Sequence, residues 1–266
     1  MRRVLALTAL LTATVVASAV AATPPPTLAP DRLTVGVSLP SEGFQVGVVR
    51  GDQVLFAQGF EIDLARALAA KLGLESTVFV QSRFDRLLTP GAKPWDLAIA
   101  EITITDARRA ALDFSAPYMT VDQGVLLAQT VKTRPRTIAA LRPLRLCALR
   151  KTTGAELARN TIAPTKPVLL VGNVPSLMLD LQTGRCDAVV YDAPALGTLK
   201  ARAPARYGPF AGIIETKEEY GIAFQHGSAL VGPVNRALSA LTADGTLARL
   251  EKKWLTVRLD TLPVLR

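Results

Sequence analysis

The sequence WDLAIAEITITDARRAALDFSAPYM, from Trp95 to Met119, decides the predicted fold. Its apolar run, Leu97 to Ala100, predicts a buried strand of a parallel sheet. A helix start follows this strand, because Thr105 and Asp106 are both favourable N-cap residues. In an open parallel sheet, ligands bind where strands end and helices begin, and helix N-termini favour anions. The segment therefore predicts a binding site at a strand end.

Polar side chains after this strand suit a small charged ligand. Glu101 comes first, and Thr103 and Arg108 follow it. An arginine can hold a carboxylate through two parallel hydrogen bonds, and a neighbouring hydroxyl can donate another. The alternative is an ordinary strand, turn and amphipathic helix that carries a solvated arginine.

The first residues predict export from the cytoplasm. Met1 to Arg3 is a short positive region, Val4 to Val16 is apolar, and Ala19 to Ala21 is an A-x-A cleavage pattern. Together they predict a signal peptide over residues 1–21. Residues 22–30 then form a proline-rich leader before the fold. We therefore expect a soluble, exported protein in the periplasm.

Composition restricts the classes of partner. The chain has 266 residues and a formal net charge of +9, and 49% of its residues are hydrophobic. Its Lys and Arg residues are scattered, without the basic, aromatic-interleaved runs of many nucleic-acid-binding proteins. The sole histidine, His226, lies in a turn-like sequence, and there is no metal-type spacing of ligands. We expect a monomer with no nucleic acid partner, no metal and no cofactor.

The two cysteines, Cys147 and Cys186, would meet an oxidising compartment in which a disulfide is permitted. Cys147 falls in the middle of a predicted strand, whereas Cys186 precedes its strand. If these strands are adjacent and parallel, the offset separates the two Cα atoms beyond the reach of a bridge. We therefore expect two buried free thiols, with a disulfide as the alternative.

Strand and helix patterns alternate in two series along the chain. The first series begins at the strand Leu33–Val37, and the second runs from Val125–Gln129 to Asp187–Tyr191. An extended segment follows, and then two amphipathic helices, Val234–Leu241 and Leu247–Trp254. Such alternation predicts an α/β protein with two parallel-type lobes, joined by two hinge crossings.

The lobe boundaries follow from this order of elements. We assign residues 31–119 and 221–256 to lobe 1 and residues 120–220 to lobe 2. The hinges are expected near 118–123 and 217–220. The C-terminal tail, 257–266, has no functional interpretation from the sequence.

Five ordered motifs resemble those of family 3 bacterial solute-binding proteins, the polar amino-acid-binding components of ABC importers. They are Gly59–Ala65 (GFEIDLA), the opening segment, Gly184–Asp192 (GRCDAVVYD), Tyr220–Ala223 (YGIA) and Asp244–Leu255 (DGTLARLEKKWL). The resemblance spans nearly all of the predicted mature chain. It implies the two-lobed periplasmic binding protein type 2 fold, an amino-acid ligand and a membrane ABC permease as partner.

The resemblance also implies roles for individual residues. Arg108 and Thr103 match the groups that bind the ligand α-carboxylate, and Thr153 matches a residue that closes on it from lobe 2. Asp192 matches the acid that holds the α-ammonium, although it also suits a helix cap. A zwitterion between two lobes needs a fixed cation at one end and a fixed anion at the other.

Several cleft positions depart from the pattern of the relatives. Glu101 stands where relatives have a small residue such as glycine or serine, and Lys151 replaces the usual glycine before a threonine pair. Glu101 could contact the ammonium or a basic ligand side chain, or it could pair with Arg108. Arg83 and Arg150 favour an acidic ligand, whereas Glu101 favours a basic one. The sequence leaves this choice open.

Two further candidates for the cleft wall are Ser38 and Phe44, and core packing is the alternative for Phe44. The competing function is an exported dehydratase of the cyclohexadienyl type, with Glu101 as general acid or base. A divergent accessory or sensing binding protein is a third possibility. Because no nucleophile–base pair or cofactor motif supports catalysis, we expect no catalytic residue and no enzyme.

Overall fold

The computed structural model describes residues 24–255 and 257–266 of the chain. The predicted signal peptide, 1–21, and the first two leader residues lie outside this part. No helix in the described part is long and apolar enough to cross a membrane. The described leader residues run against the body of the protein, where the Leu28 amide donates to the Asp96 carboxylate at 2.6 Å.

Twelve strands and eight α-helices are found in the described chain. In order they are β1 (Arg32–Val37), β2 (Val46–Arg50), β3 (Gln53–Gln58), α1 (Phe60–Lys71), β4 (Ser76–Gln81), α2 (Phe84–Leu87), β5 (Leu97–Ala98), α3 (Asp106–Arg109), β6 (Asp113–Phe114), β7 (Met119–Leu127), β8 (Leu146–Leu149), α4 (Thr153–Leu157), β9 (Leu169–Val171), α5 (Val174–Gln182), β10 (Ala188–Asp192), α6 (Ala193–Arg202), β11 (Phe210–Tyr220), β12 (Ala223–Phe224), α7 (Val231–Ala243) and α8 (Thr246–Trp254).

The first sheet has seven strands in the order β2-β3-β4-β1-β5-β12-β6. Its centre is parallel, because β1 pairs in parallel with both β4 and β5. The helix α1 buries its apolar face, including Ile62, Leu64 and Leu68, in the core of this lobe. A side chain at Gly59, just before α1, would lie 2.1 Å from the Phe44 carbonyl oxygen, so this position requires glycine.

The second sheet has five strands in the order β11-β7-β10-β8-β9. Strand β8 pairs in parallel with β9 and β10, while β7 pairs antiparallel with β10 and β11. Strand β7 begins at the first predicted crossing, and β11 ends at the second. The predicted two-lobed α/β fold is confirmed, although each sheet is mixed: the first is parallel at its centre, and the second is parallel only over β10, β8 and β9.

Several elements of lobe 2 were predicted incompletely or not at all, among them β7 and α6. Strand β7 begins at Met119, six residues before the predicted strand, because polar residues such as Asp122 and Gln123 interrupt its apolar pattern. Helix α6 has no counterpart in the prediction, although Pro194 stands in its first turn, where proline favours a helix start. Asp192 precedes α6, but its side chain makes no capping hydrogen bond.

The expectation of two free thiols was wrong, since Cys147 and Cys186 form a disulfide with a Cα–Cα distance of 5.9 Å. Cys147 lies opposite Val189 in the parallel pair of β8 and β10. Cys186 does not continue the line of β10, because its amide donates to the Asp180 carbonyl at the end of α5. This turn brings Cys186 beside β8 and removes the predicted offset.

The C-terminal tail, 257–266, lies on lobe 2 after α8 has packed against α1 of lobe 1. Val264 pairs with Ile213 of β11, and Leu265 is buried in the lobe 2 core. Val257 lies against Gly197 of α6. The tail therefore makes a further connection between the lobes, which the sequence had left without interpretation.

Candidate ligand-binding cleft

A cleft opens between the two sheets, at the carboxyl ends of β1, β5, β8, β9 and β10. Ligand sites of open α/β sheets lie at such strand ends. The lining residues are Ser38, Leu39, Pro40, Phe84, Ala100, Glu101, Thr103, Arg108, Leu149, Thr152, Thr153, Gly172, Asn173, Val174, Tyr191 and Asp192. Six of the nine predicted ligand residues are therefore brought together here: Ser38, Glu101, Thr103, Arg108, Thr153 and Asp192.

One side of the cleft, which we call the arginine end, consists of Arg108, Thr103, Thr153 and Glu218. The short helix α3 places Arg108 there, because its N-cap Thr105 accepts a hydrogen bond from the Arg108 amide. The guanidinium donates to the Thr103 carbonyl of lobe 1 at 2.6 Å and to the Lys151 carbonyl of lobe 2 at 3.1 Å. Arg108 therefore already contacts both lobes.

The electrostatic surroundings of Arg108 leave its charge available. Its carbon Cζ lies 5.5 Å from the centre of the Phe84 ring, a cation–π distance. Burial lowers the pKa of the guanidinium, which the charges of Asp192, Glu156 and Glu218 partly oppose, and an arginine stays protonated in any case. No carboxylate within the described residues forms an ion pair with it at 4 Å or less.

Glu218 of β11 was not among the predicted site residues. Its Oε2 accepts hydrogen bonds from the hydroxyls of Thr103 at 2.8 Å and Thr153 at 2.6 Å. Its Oε1 accepts from the Gln123 amide at 3.1 Å. Both threonine hydroxyls that the resemblance assigned to a ligand carboxylate thus contact a carboxylate of the protein itself.

A second group of cleft residues, which we call the acidic end, consists of Glu101, Asp192 and Tyr191, and Gln123 joins it to the arginine end by donating to both Asp192 and Glu218. Asp192 accepts hydrogen bonds from the Tyr220 hydroxyl at 2.5 Å and from the Gln123 amide. Burial and the neighbouring Glu218 charge raise the pKa of Asp192 to about 6, although these hydrogen bonds oppose the shift. The Asp192 carboxylate is thus held in place by two side chains of lobe 2 and the crossing strands.

Glu101 has a different environment from Asp192. Its Oε2 is buried and accepts no hydrogen bond from the described residues. Burial, followed by the charges of Glu61 and Asp192, holds the pKa of Glu101 well above its usual range. The hydroxyls of Ser41 and Tyr191 oppose this shift only in part, so the free protein holds the Glu101 charge poorly, and a donor or cation beside Oε2 would favour the ionised form.

Glu61 forms the layer behind the acidic end. It belongs to the motif GFEIDLA at the start of α1, and it is fully buried. Its carboxylate accepts hydrogen bonds from the Glu101 amide at 2.7 Å, from the Tyr118 hydroxyl and from Gln45. Burial raises the pKa of Glu61 to about 7 against these hydrogen bonds. Glu61 therefore orients the Glu101 backbone and does not line the cleft.

Three predicted site residues lie away from the cleft. Arg83 is 70% exposed in its side chain and pairs with Asp85 at 2.6 Å. Arg150 is exposed and donates to the Leu170 carbonyl. Phe44 is fully buried and packs edge-on against Phe60, with a ring centroid distance of 6.0 Å. Neither of the arginines that favoured an acidic ligand reaches the cleft.

The two departures from the family pattern share a backbone property. Glu101 has a φ of 52° and Lys151 a φ of 67°. Both lie in the left-handed region, where glycine is accommodated without steric cost and other residues are uncommon. The resemblance placed small residues or glycine at these two positions. The chain therefore holds two larger side chains at strained turns on the two sides of the cleft.

Phe84, Gln123 and Tyr191 are other cleft-side residues that sequence reasoning missed. Phe84 directly follows Arg83, and only the arginine had been considered there. Gln123 was read as part of a hinge, and a polar residue between apolar ones in a crossing strand was the available signal. Tyr191 precedes Asp192 and was predicted only as the last residue of a strand.

The fold and the cleft define a two-lobed solute-binding protein of the periplasmic type 2 class. Residues 33–257 match the family model of bacterial extracellular solute-binding proteins, family 3, and the chain belongs to this family. The match confirms the resemblance deduced from the motifs. It also confirms the predicted function at family level, which is the binding of a solute outside the cytoplasm.

Individual relatives agree with this membership. The L-cystine-binding protein TcyJ of Escherichia coli (strain K12) is 28% identical over 197 residues, which cover 74% of this chain and 73% of the relative. The solved structure of an ancestral arginine-binding protein bound to arginine is 27% identical, with a TM-score of 0.74, and covers 84% of this chain and 98% of that one. An ancestral amino acid-binding protein, a precursor of cyclohexadienyl dehydratase, is 29% identical with a TM-score of 0.71, covering 85% and 96%.

Proposed function

We propose that this protein binds an amino acid with a cationic side chain, and that Glu101 receives the side-chain cation. The observation that carries this proposal is the buried Glu101 Oε2, which has no hydrogen-bond partner among the described residues. A guanidinium or ammonium group would supply the missing donor and the missing charge together.

The balance of charge in the cleft supports the same ligand class. Two carboxylates, Glu101 and Asp192, line the cleft, Glu218 closes the arginine end, and Arg108 is the lining residue with a fixed positive charge. Arg83 and Arg150, which would have favoured an acidic ligand, are exposed outside the cleft. An arginine-binding structure is also among the relatives with the same fold.

The α-carboxylate and the α-ammonium of the ligand also have complementary partners in this proposal. The Arg108 guanidinium takes the α-carboxylate, since it keeps donors that are not used by the Thr103 and Lys151 carbonyls. Asp192, which Tyr220 and Gln123 hold in place, takes the α-ammonium. The side-chain cation then extends toward Glu101.

The test is a thermal-shift screen of the purified mature protein against arginine, lysine, ornithine, histidine, glutamine and glutamate. A ligand that binds only the folded state raises the melting temperature by mass action. We expect the cationic amino acids to raise it most and glutamate least, and calorimetry then gives their affinities. A larger shift with glutamate than with arginine or lysine would contradict the proposal.

A matched control variant distinguishes the loss of a charge in the cleft from the loss of a charge on the surface. Glu101→Gln keeps the size of the side chain but removes its charge, whereas Glu219→Gln removes an exposed charge on β11. We expect the first variant to lose the preference for cationic amino acids and the second to keep it.

The relatives named above are binding proteins, and we propose that this chain is likewise not an enzyme. One ancestral relative is a precursor of a dehydratase, so the alternative has a direct assay. The mature protein is incubated with prephenate or arogenate, with Glu101→Gln as control. Turnover by the parent protein that the variant lacks would establish the enzyme instead.

We further propose that the protein is exported by its signal peptide and acts in the periplasm as a monomer. Family membership supports delivery of the amino acid to an ABC permease in the membrane. Light scattering of the mature protein and the N-terminal sequence of the secreted product test these two statements.

A further inference from the structure

Glu218 occupies hydrogen-bonding groups that a ligand carboxylate would use. Its Oε2 lies 2.8 Å from the Thr103 hydroxyl of lobe 1 and 2.6 Å from the Thr153 hydroxyl of lobe 2. We infer that Glu218 competes with the ligand α-carboxylate for this hydroxyl pair. Glu218 thereby reduces the preference of the cleft for amino acids over amines that lack the carboxylate.

The backbone of β11 is shaped to aim Glu218 into the cleft. In the pairing with β7, Ile214 lies opposite Gln123 and Glu218 opposite Val121, so four positions on β11 span two on β7. The extra residues form a bulge, and bulges redirect side chains next to functional sites. The backbone geometry of β11 therefore places Glu218 beside the cleft.

The carboxylate of Asp122 stabilises this bulge through hydrogen bonds. Asp122 Oδ1 accepts hydrogen bonds from the amides of Thr216 and Lys217, each at 2.9 Å. Lys217 adopts a φ of 49°, which a residue other than glycine rarely does without such support. The crossing strand is thus held in the conformation that presents Glu218.

The competition follows from the limited number of hydroxyl protons. Each threonine hydroxyl donates one hydrogen bond, so Thr103 and Thr153 cannot donate fully to two carboxylates at once. Two carboxylates at the same hydroxyls also repel each other. A ligand carboxylate bound to Arg108 must displace Glu218 or do without the hydroxyls, whereas an amine without a carboxylate meets no such conflict.

This inference rests on the proposed binding of a cationic amino acid. It is tested by calorimetric titration of the mature protein, Glu218→Gln and Glu218→Ala with L-arginine and with agmatine, its decarboxylated counterpart. We expect arginine to bind either variant about tenfold more tightly, a change of about 1.4 kcal/mol. Agmatine should bind the two variants no more tightly than it binds the parent protein, because each variant removes a negative charge from the cleft.

The control is Glu219→Gln, an exposed neighbour on the same strand, whose arginine and agmatine affinities should equal those of the parent protein. Circular dichroism confirms that each variant is folded. An unchanged ratio of arginine to agmatine affinity in both Glu218 variants would overturn the inference. A parent protein that binds glutamine and not arginine would overturn the proposed ligand class instead, and titration with glutamine would then test Glu218 in the same way.

Discussion

The two ends of the cleft differ in how their polar groups are satisfied. At the arginine end, Thr103 and Thr153 donate to Glu218, and Arg108 donates to two backbone carbonyls. At the acidic end, Glu101 Oε2 is buried without a partner in the described chain. The arginine end is therefore already connected across the lobes, whereas one carboxylate oxygen at the acidic end, Glu101 Oε2, has no donor in the described chain.

This difference assigns different energetic roles to the two ends. At the arginine end the hydroxyls of Thr103 and Thr153 exchange one carboxylate acceptor for another, which yields a modest net free energy, so the Arg108 charge contributes most of the binding there. Binding of a cation at the acidic end favours the ionised form of Glu101, whose pKa burial and the charges of Glu61 and Asp192 hold high in the free protein, and the gain is the pairing less the cost of releasing the proton. Selectivity for the ligand side chain should therefore come mainly from Glu101.

The largest expected effect is at the arginine end. Arg108→Ala should weaken arginine binding by about 100-fold to 1000-fold, because the ligand carboxylate would lose a charged partner in a buried site. The matched control is Arg109→Ala, since Arg109 lies next in sequence and its guanidinium stacks near Phe114 instead. Calorimetric affinities equal for Arg108→Ala and the parent protein would show that this end does not bind the carboxylate.

A second effect concerns the pH dependence of the acidic end. In the free protein the pKa of Glu101 is raised well above its usual range and that of Asp192 to about 6, so both carry protons at low pH. A bound cation favours the ionised carboxylates, so binding must release those protons. Arginine affinity should therefore rise as the pH is raised through the Asp192 value of about 6 and above it, by up to about tenfold for each unit and proton released.

The groups that face Glu101 set the control for this measurement. Glu61 and Asp192 raise its pKa after burial, and the hydroxyls of Ser41 and Tyr191 act in the opposite direction. In Glu101→Gln the Asp192 contribution remains, so the rise of affinity with pH should become shallower without vanishing. An affinity for arginine that stays flat over this range in the parent protein would rule out proton release at the acidic end.

The smallest expected effect compares the two strained turns. Lys151→Gly relieves a left-handed backbone at the arginine end and should raise the free energy of unfolding by at most about 1 kcal/mol. Glu101→Gly relieves the same strain and also removes a buried carboxyl group whose Oε2 has no partner in the described chain, so it should stabilise the ligand-free protein by about 1 kcal/mol more. Urea unfolding measures both variants, and equal stabilities would mean that the Glu101 charge costs nothing.

The sequence predicted the lobe cores and six of the cleft residues well, because both depend on local patterns. The strand Leu33–Val37 was found to one residue, and Arg108 followed from an N-cap and a strand end. Strands of alternating or apolar residues and capped helices are specified within a few residues of the chain.

The predictions that failed concern features that depend on contacts between distant segments of the chain. Glu218 reaches the cleft only through a bulge that Asp122, 96 positions earlier than Glu218 in the chain numbering, holds in place. The disulfide depends on a turn after α5 that moves Cys186 beside β8. Arg83 and Arg150 had suitable chemistry, but their positions face solvent. None of these outcomes can be read from residue type or spacing.

A comparison of arginine with citrulline, which has nearly the same shape and a neutral side chain, tests the role of Glu101 most directly. Calorimetry of the mature protein and of Glu101→Gln gives the four affinities. We predict that the parent protein binds arginine at least about tenfold more tightly than citrulline, corresponding to about 1.4 kcal/mol, and that Glu101→Gln removes this preference. Equal affinities in the parent protein, or a preference that survives in Glu101→Gln, would contradict the assignment of Glu101 to the ligand cation.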